Sequence, residues 1–497
     1  MREDPSRREF SPNRREFMKR GAMAAAALSL PSLGALVPGQ KKLARRGAAK
    51  RVLIIGAGLA GLAAAYELSE LGHEVTILEA RMRPGGRVHT LREPFSDGLY
   101  AEEGAARIPA VHNLTLKYAR LFGLKLDPFY PAKLDGVGYM RGHRVLLKPN
   151  APPDISQLGL KLTAEEQKAG LAGLWMKYVG TKIVGSLGDA AADSWPPPSL
   201  QKYDRITYAE FLREQGASPD AMAVMALGFA DPDDPVSAIE VFREMALNNG
   251  LLSKIRGGTD LLPRAFAAKL SEKIHYNSPV VAIEQDGRGV RAVVRPASGL
   301  QQSVPADYLL CTIPFTVLRR MEVRPAFSPE KERAVRQLSY QAVTRVYLQS
   351  RRRFWEQNGT NGFGMSDLPE EVWQPTWDQP GPRGILMSYV RGRNAHRLTG
   401  MNEGERIAFI LERMQKIHPG MAENFEGGAS KAWEEDPWAR GAYTSLGVGQ
   451  MFGLMPHVAR PEGRIYFAGE HASAWHGWMQ GALESGNRAA REINAAT

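Results

Sequence analysis

Short, wholly apolar runs alternate with turn residues along most of this chain, and residues 130–250 interrupt that pattern with apolar positions at helical spacing. Val52-Leu53-Ile54-Ile55 predicts a strand buried on both faces, and Gly56-Ala57-Gly58-Leu59-Ala60-Gly61 follows it without a spacer. An Ala-rich helix is predicted over 62–71, Gly72 ends it, and 75–78 gives a second strand closing on Glu79. Leu114, Tyr118, Leu121 and Phe122 predict another helix, stopped by Gly123. The interrupting region reads as a hairpin over 139–147 and helices over 163–184 and 208–249, with the linker Trp195-Pro196-Pro197-Pro198 between them. Beyond it come a Gly257-Gly258 turn, a helix over 261–270 and strands over 280–283, 290–294 and 308–313. Thr344-Arg345-Val346-Tyr347-Leu348 and Ile385-Leu386-Met387-Ser388-Tyr389 alternate as half-buried strands of a mixed sheet. A last strand over 465–470 and a helix over 479–494 complete the pattern, which has no fixed-period repeat.

The first of these segments carries chemistry. Strand, GxGxxG, helix, strand and terminal acid occur in the context that a dinucleotide site requires. Gly56 permits the tight turn, Gly58 lets the backbone approach a pyrophosphate, and Gly61 lets the helix pack on the strand. Glu79 stands where an acid takes the ribose hydroxyls of an adenine dinucleotide and repels a 2′-phosphate. Arg81 and then Arg83-Pro84-Gly85-Gly86-Arg87 add a second Gly-rich turn flanked by guanidinium groups, which suits an extended diphosphate.

These residues resemble the FAD-binding fingerprint of the flavin amine oxidases, whose ExxxxxGGR is matched at Glu79, Gly85, Gly86 and Arg87. The resemblance implies FAD, not NAD. A narrower similarity, spanning 51–495 and weakest in the helical region, is to the L-amino-acid oxidase branch. It is carried by Glu103-Gly104-Ala105-Ala106-Arg107-Ile108-Pro109, Phe122-Gly123-Leu124, Arg464-Ile465-Tyr466-Phe467-Ala468-Gly469-Glu470 and His476-Gly477-Trp478. The fold class it implies is α/β: a Rossmann-like, glutathione-reductase-like FAD-binding domain interleaved with a substrate domain of mixed β-sheet plus a helical insert. The expected boundaries are 50–130, 251–320 and 432–497 for the FAD domain, 131–250 for the insert and 321–431 for the sheet, with 1–49 as export signal and tail. The cofactor contacts implied are Gly56, Gly58, Ala60, Gly61, Glu79, Ala80 and Arg81 in the first turn and Gly85, Gly86 and Arg87 in the second. Gly104, Ala105, Ala106 and Arg107 follow, with the backbone of Val280 at adenine, Gly469 and Glu470 on the ribitol or pyrophosphate side, and Gly477, Trp478 and Met479 at the flavin ring.

For the substrate, the resemblance assigns Arg107 to the carboxylate of an amino acid, a bidentate task that Arg performs and Lys does poorly. Tyr389 is its hydroxyl partner, and Tyr443 and Trp478 flank the substrate Cα as flat walls that orient it and exclude water. Two positions depart from family habit. Ala442 stands where some monoamine oxidases carry a Cys that links the flavin, so FAD is expected to be bound non-covalently. Arg345 replaces the usual Lys, beside which a bridging water reaches flavin N5. The expected reaction transfers hydride from Cα of a neutral amine to N5, releases an imino acid that hydrolyses to keto acid and ammonia, and returns the electrons to oxygen as hydrogen peroxide. His471, His476 and His89 are the candidates for assisting amine deprotonation. A primary amine or polyamine oxidase is the first alternative. A flavin dehydrogenase or decarboxylating monooxygenase, motivated by Arg345, is the second, and an inactive flavin-binding accessory protein is the third. Tyr443 and Trp478 with Phe and Met nearby favour bulky neutral or aromatic side chains, and related oxidases imply a homodimer.

Composition refines the picture in two places. The 497 residues carry a net charge of +11, but the first 50 hold twelve Lys and Arg against four Asp and Glu, so the basicity is mainly that of the tail and no nucleic-acid partner is expected. Within that tail, Ser11-Pro12-Asn13-Arg14-Arg15-Glu16-Phe17-Met18-Lys19 and the mildly apolar run 22–37 resemble a bacterial twin-arginine export signal, which implies a periplasmic or secreted, cofactor-loaded protein. That run is too short and Pro-interrupted for a stable membrane span. The single cysteine, Cys311, lies in an apolar strand and reads as core, and no spacing of metal ligands or of a Ser-His-Asp set stands out.

Overall fold

The computed structural model describes residues 44–497 except 149–150, 152–153, 184, 193, 227–233, 248–249 and 297–298. The twin-arginine segment and its apolar run lie outside the described residues. Five strands form a parallel sheet in the order Ile274–His275, Glu74–Leu78, Arg51–Ile55, Tyr308–Cys311, Ile465–Phe467. Both faces are covered, as a parallel sheet requires. Val52 and Ile54 join the core formed with helices Leu59–Glu70 and Met479–Ala495, while Leu53 and Ile55 join the core on the opposite face. Cys311 is buried in that second core, and burial pushes its thiol up to about 12.

The first helix starts three residues earlier than the pattern predicts. Gly58 is its N-cap, so Gly61 falls in the first turn, where a Cβ would sit 2.1 Å from Gly56 O. The last strand ends early, at Phe467, because Gly469 turns the chain at φ +138° and Glu470 opens a short 3-10 turn.

A second, mixed sheet of seven strands runs Phe425–Ala432, Val343–Ser350, Gly384–Arg391, Glu371–Trp373, Thr360–Ser366, Asp135–Met140, His143–Leu147. The expected hairpin thus supplies its far edge. Its central strands Val343–Ser350 and Gly384–Arg391 are not half-buried, as their alternation predicts, but buried at all eight positions. Val346, Leu348, Leu386 and Val390 pack under Ile410, Met414 and Ile417 of helix Glu403–Ile417. The opposite face meets Phe129, Phe363 and Trp373. Its polar positions, Arg345 and Gln349 among them, are interior groups, and that face holds the candidate site.

The interrupting region is helical, with Ala164–Trp175, Tyr208–Glu214, Pro219–Ala226 and Ala238–Leu247 among its helices. The first begins on a capping box between Thr163 and Glu166 and is kinked where Gly170 takes φ +63°. Among the described residues no helix is long and apolar enough to cross a membrane.

Candidate active site

One half of the site is made of backbone. Gly58, at the mouth of the first turn, has nothing within 4 Å of the place its Cβ would take, which leaves the approach open to a ligand. Gly85 N donates to Ala57 O at 2.8 Å and bridges to Gly58, so the second Gly-rich turn lies directly against the first. Glu79 accepts from Ala57 N and Arg81 N, both at 2.8 Å, and burial raises its pKa. Ala80 is partly buried in the bend after Glu79, and Arg81 pairs with Asp436. Gly104 is forced, since a Cβ there would lie 1.7 Å from Arg87 O, the atom that also accepts from Ala105 N at 3.2 Å. Ala106 is buried beside them.

The C-terminal helix closes this cradle from the other side. A Cβ on Gly486 would stand 2.3 Å from Ala60 O, so the two helices touch backbone to backbone. Ser485 Oγ bonds both Gly469 N (3.0 Å) and Gly469 O (2.8 Å). Glu470 accepts from Arg87 Nη1 at 2.9 Å, Thr444 Oγ1 at 3.2 Å and Gly477 N at 2.7 Å, so its carboxylate braces three segments around the cleft. Arg87 Nη1 also donates to Ala442 O at 2.8 Å. Neither helix Leu59–Glu70 nor Met479–Ala495 has a side-chain cap at its N-terminus, which leaves N–H groups for an anion or a carbonyl. Val280 begins the strand Val280–Gln285, buried opposite Val294.

The other half is made of side chains from the seven-stranded sheet. Lys431, Arg345, Tyr389 and Glu371 stand side by side across four strands, in register on one face. The Arg107 guanidinium lies 4.8 Å from the Trp373 ring, 5.8 Å from that of Trp478 and 6.0 Å from that of Tyr389. Its Nη1 is 3.4 Å from Glu371 Oε2, longer than the 2.7–2.9 Å usual for a charge-assisted pair. Trp373 stacks on Tyr389 at 5.0 Å, and the hydroxyls of Tyr389 and Tyr443 are 2.9 Å apart. Burial pushes the Tyr443 hydroxyl pKa up. Trp478 donates from Nε1 to Glu244 and meets His112 edge-on at 5.0 Å. Arg345 donates from Nη1 to Glu102 O at 2.7 Å, and its guanidinium lies 5.1 and 4.8 Å from the Trp373 and Tyr389 rings.

Arg107, Tyr389, Tyr443, Trp478 and Arg345 are therefore neighbours, although they come from five separate stretches of sequence. The three histidines are elsewhere. His89 binds Glu103 (2.7 Å), His476 lies 2.8 Å from Glu240, and His471 is packed on Phe315, where burial lowers its pKa to about 3. Sequence reasoning missed Glu371, Trp373 and Arg391. Glu370-Glu371-Val372-Trp373 belongs to no motif, yet Glu371 and Trp373 alternate onto the site face of a three-residue strand. Arg391 meets that strand too, 3.4 Å from Glu371 Oε1 and 3.3 Å from Glu370 Oε2. Glu370 takes φ +67°, a left-handed conformation rare outside glycine, and burial pushes its carboxyl up to about 7 despite Arg391. Among the described residues no cluster of His, Cys, Asp and Glu could hold a metal.

A parallel sheet whose glycine turns leave room for a dinucleotide, set against aromatic walls around a half-buried guanidinium, defines a class of flavoprotein oxidoreductase. Residues 59–494 match the family of flavin containing amine oxidoreductases, and the chain belongs to it. Its cofactor is a flavin, and the paired glycine turns between two uncapped helix N-termini fit the dinucleotide form, FAD. YobN of Bacillus subtilis (strain 168), provisionally named an L-amino-acid oxidase, is 35% identical over 90% of this chain and 95% of its own length. The flavin-dependent L-tryptophan oxidase RebO of Lentzea aerocolonigenes is 33% identical over 90% and 98%, and the L-amino-acid oxidase of Pseudechis australis 30% over 90% and 87%. In fold, the chain resembles cyclohexylamine oxidase from Brevibacterium oxydans, with a TM-score of 0.76 at 23% identity over 90% of this chain and 99% of that one.

Proposed function

We propose that this protein is an FAD-dependent oxidase of L-amino acids, exported by a twin-arginine route to the periplasm or medium and active with oxygen as acceptor. The observation that carries the reading is Arg107: a half-buried guanidinium walled by Trp373, Tyr389 and Trp478, whose nearest carboxylate stands off at 3.4 Å. A substrate carboxylate placed there gains a charge-assisted fork in a water-poor site, where such pairs are strongest. Tyr389 adds a hydroxyl donor to the same carboxylate and keeps its hydrogen bond to Tyr443. Tyr443 and Trp478 hold the Cα between flat apolar faces, so that orientation and desolvation lower the barrier. FAD, when bound in the cradle, would supply the electron sink for the hydride that leaves Cα. The imino acid hydrolyses to keto acid and ammonia, and oxygen takes the two electrons as hydrogen peroxide. Ala442 offers no thiol for a link, so the cofactor is held non-covalently, by the glycine turns, Glu79 and the helix ends. The FAD domain comprises 50–130, 251–320 and 432–497, the rest of the folded chain builds the substrate domain, and the assembly is a homodimer.

One observation favours the primary amine or polyamine reading. Glu371 already lies beside Arg107, so an amine without a carboxylate leaves that charge compensated. Mixing the purified flavoprotein without oxygen with L-phenylalanine and, separately, with phenethylamine decides between the two. Bleaching of the flavin by the amino acid alone is expected, and bleaching by the amine alone overturns the proposal. Peroxide formed on admitting air separates the oxidase from a dehydrogenase, and an amide product would identify a decarboxylating monooxygenase.

A further inference from the structure

The helix Ala238–Leu247 of the insert carries Glu240, Arg243 and Glu244 at i, i+3 and i+4, hence on one face. That face grips the loop 474–478, which leads into the C-terminal helix. Arg243 is only 1% exposed, yet no water is needed to satisfy it. It donates from Nη1 to Ala474 O at 2.9 Å and from Nη2 to His476 O at 3.5 Å, and Glu240 holds it from the other side at 2.9 and 3.1 Å. Glu240 Oε2 also lies 2.8 Å from His476 Nε2. Burial opposes ionisation of Glu240, but Arg243 and His476 outweigh it and hold the carboxyl at about 2. Glu244 completes the set by accepting from Trp478 Nε1, with Oε1 at 3.0 Å and Oε2 at 3.3 Å.

Burying charges is costly, and an interior ionic network of this kind is weak ground for stability alone. What it achieves here is registration. Besides the pairs that Arg243 makes with Glu240 and Glu244 within the helix, the contacts to Ala474, His476 and Trp478 all end on the loop that carries Trp478. His112 meets the indole nearly perpendicular, with ring centroids 5.0 Å apart. The hydrogen bond from Nε1 to Glu244 adds a directional hold on the ring's depth and rotation.

We propose that Glu244 is a positioning residue: it fixes the plane and depth of the Trp478 indole, and the triad Glu240, Arg243, Glu244 makes the insert helix the template for the substrate wall. The inference rests on the reading of Trp478 as that wall.

The test uses flavin-loaded Glu244→Ala, Glu244→Gln, Trp478→Ala, Trp478→Phe and the double variant Glu244→Ala/Trp478→Phe, each checked for flavin content. Two quantities are measured. One is the single-turnover rate of anaerobic flavin reduction by whichever L-amino acid reduces the wild type fastest. The other is the indole N–H resonance of Trp478 in protein labelled at tryptophan, assigned by its loss in Trp478→Phe. Glu244→Ala is expected to slow reduction about tenfold and move the resonance upfield. Gln keeps an acceptor for the indole, so Glu244→Gln is expected to recover most of the rate and the shift. In the Phe background, which has no N–H to hold, Glu244→Ala should cost nothing further. Loss of rate in Trp478→Ala with wild-type rate and resonance in Glu244→Ala overturns the inference alone. A wild-type rate in Trp478→Ala overturns the reading of the wall, and the inference with it. Equal cost of Glu244→Ala in the Trp and Phe backgrounds also overturns it, because the carboxylate then acts by another route.

Discussion

The cofactor cradle and the substrate pocket are built on opposite principles. In the cradle the decisive groups are main-chain atoms and absent side chains: Gly61 and Gly104 are forced by carbonyls that a Cβ would strike at 2.1 and 1.7 Å, and Glu79 spends its carboxylate on two backbone N–H groups. In the pocket the decisive groups are side chains that are costly to bury, Arg107, Glu371, Arg391 and Arg345, kept in place by one another and by Trp373 and Tyr389. A ligand common to a whole family can be held by atoms that every residue owns. A ligand that must be told from its neighbours needs side chains whose shape and charge match it.

Substitutions that separate the halves test this contrast. The largest effect is expected at Gly61→Val, where the new side chain meets Gly56 O with no room to move. The purified variant should carry no flavin, read from the ratio of visible to protein absorbance. Next is Arg107→Ala, which should keep its flavin and lose about 10³-fold in kcat/KM on amino acids, as expected for one partner of a buried charge pair. Equal loss on phenethylamine would mean that Arg107 shapes the pocket and does not read the carboxylate. Tyr389→Phe removes one hydroxyl from the pair with Tyr443 and should cost about tenfold in kcat/KM, with flavin content unchanged.

The smallest effect concerns pH. Glu370 is raised by burial from 4.5 to about 7, so the folded protein holds its proton more tightly than the unfolded chain. Its penalty on stability is absent below pH 4.5, grows as pH rises, and is complete above about pH 7. Glu370→Gln should therefore come close to the wild type at pH 4.5 and be the more stable of the two at pH 8, measured by denaturant unfolding. A constant difference across that range would place the carboxylate outside the linkage.

The two halves also differ in how they could be read. The heart of the cradle is contiguous: strand, glycines, helix, strand and acid fall within residues 51–79, so local spacing alone announces it. The resemblance added Arg107, Tyr389, Tyr443 and Trp478 one at a time, and each stood in a motif of its own. Glu371 and Trp373 had no such motif. Their strand is three residues long and opens on the second of two consecutive acids, and only its pairing with Gly384–Arg391 turns them inward. The central strands mislead for a related reason: Arg345 and Gln349 write an alternating, half-exposed pattern, whereas a helical layer and a layer of aromatic residues bury both faces.

Sequence by itself determined the glycine-rich turn, the parallel strands around it and the family, because those depend on backbone geometry and short-range order, which residue type dictates directly. Tertiary structure alone decided the row Lys431, Arg345, Tyr389, Glu371, the approach of Glu371 to Arg107, and the grip of the insert helix on Trp478. Those depend on strand register and on contacts between residues more than two hundred positions apart, such as Glu244 and Trp478, where side-chain chemistry acts only after the layers have met.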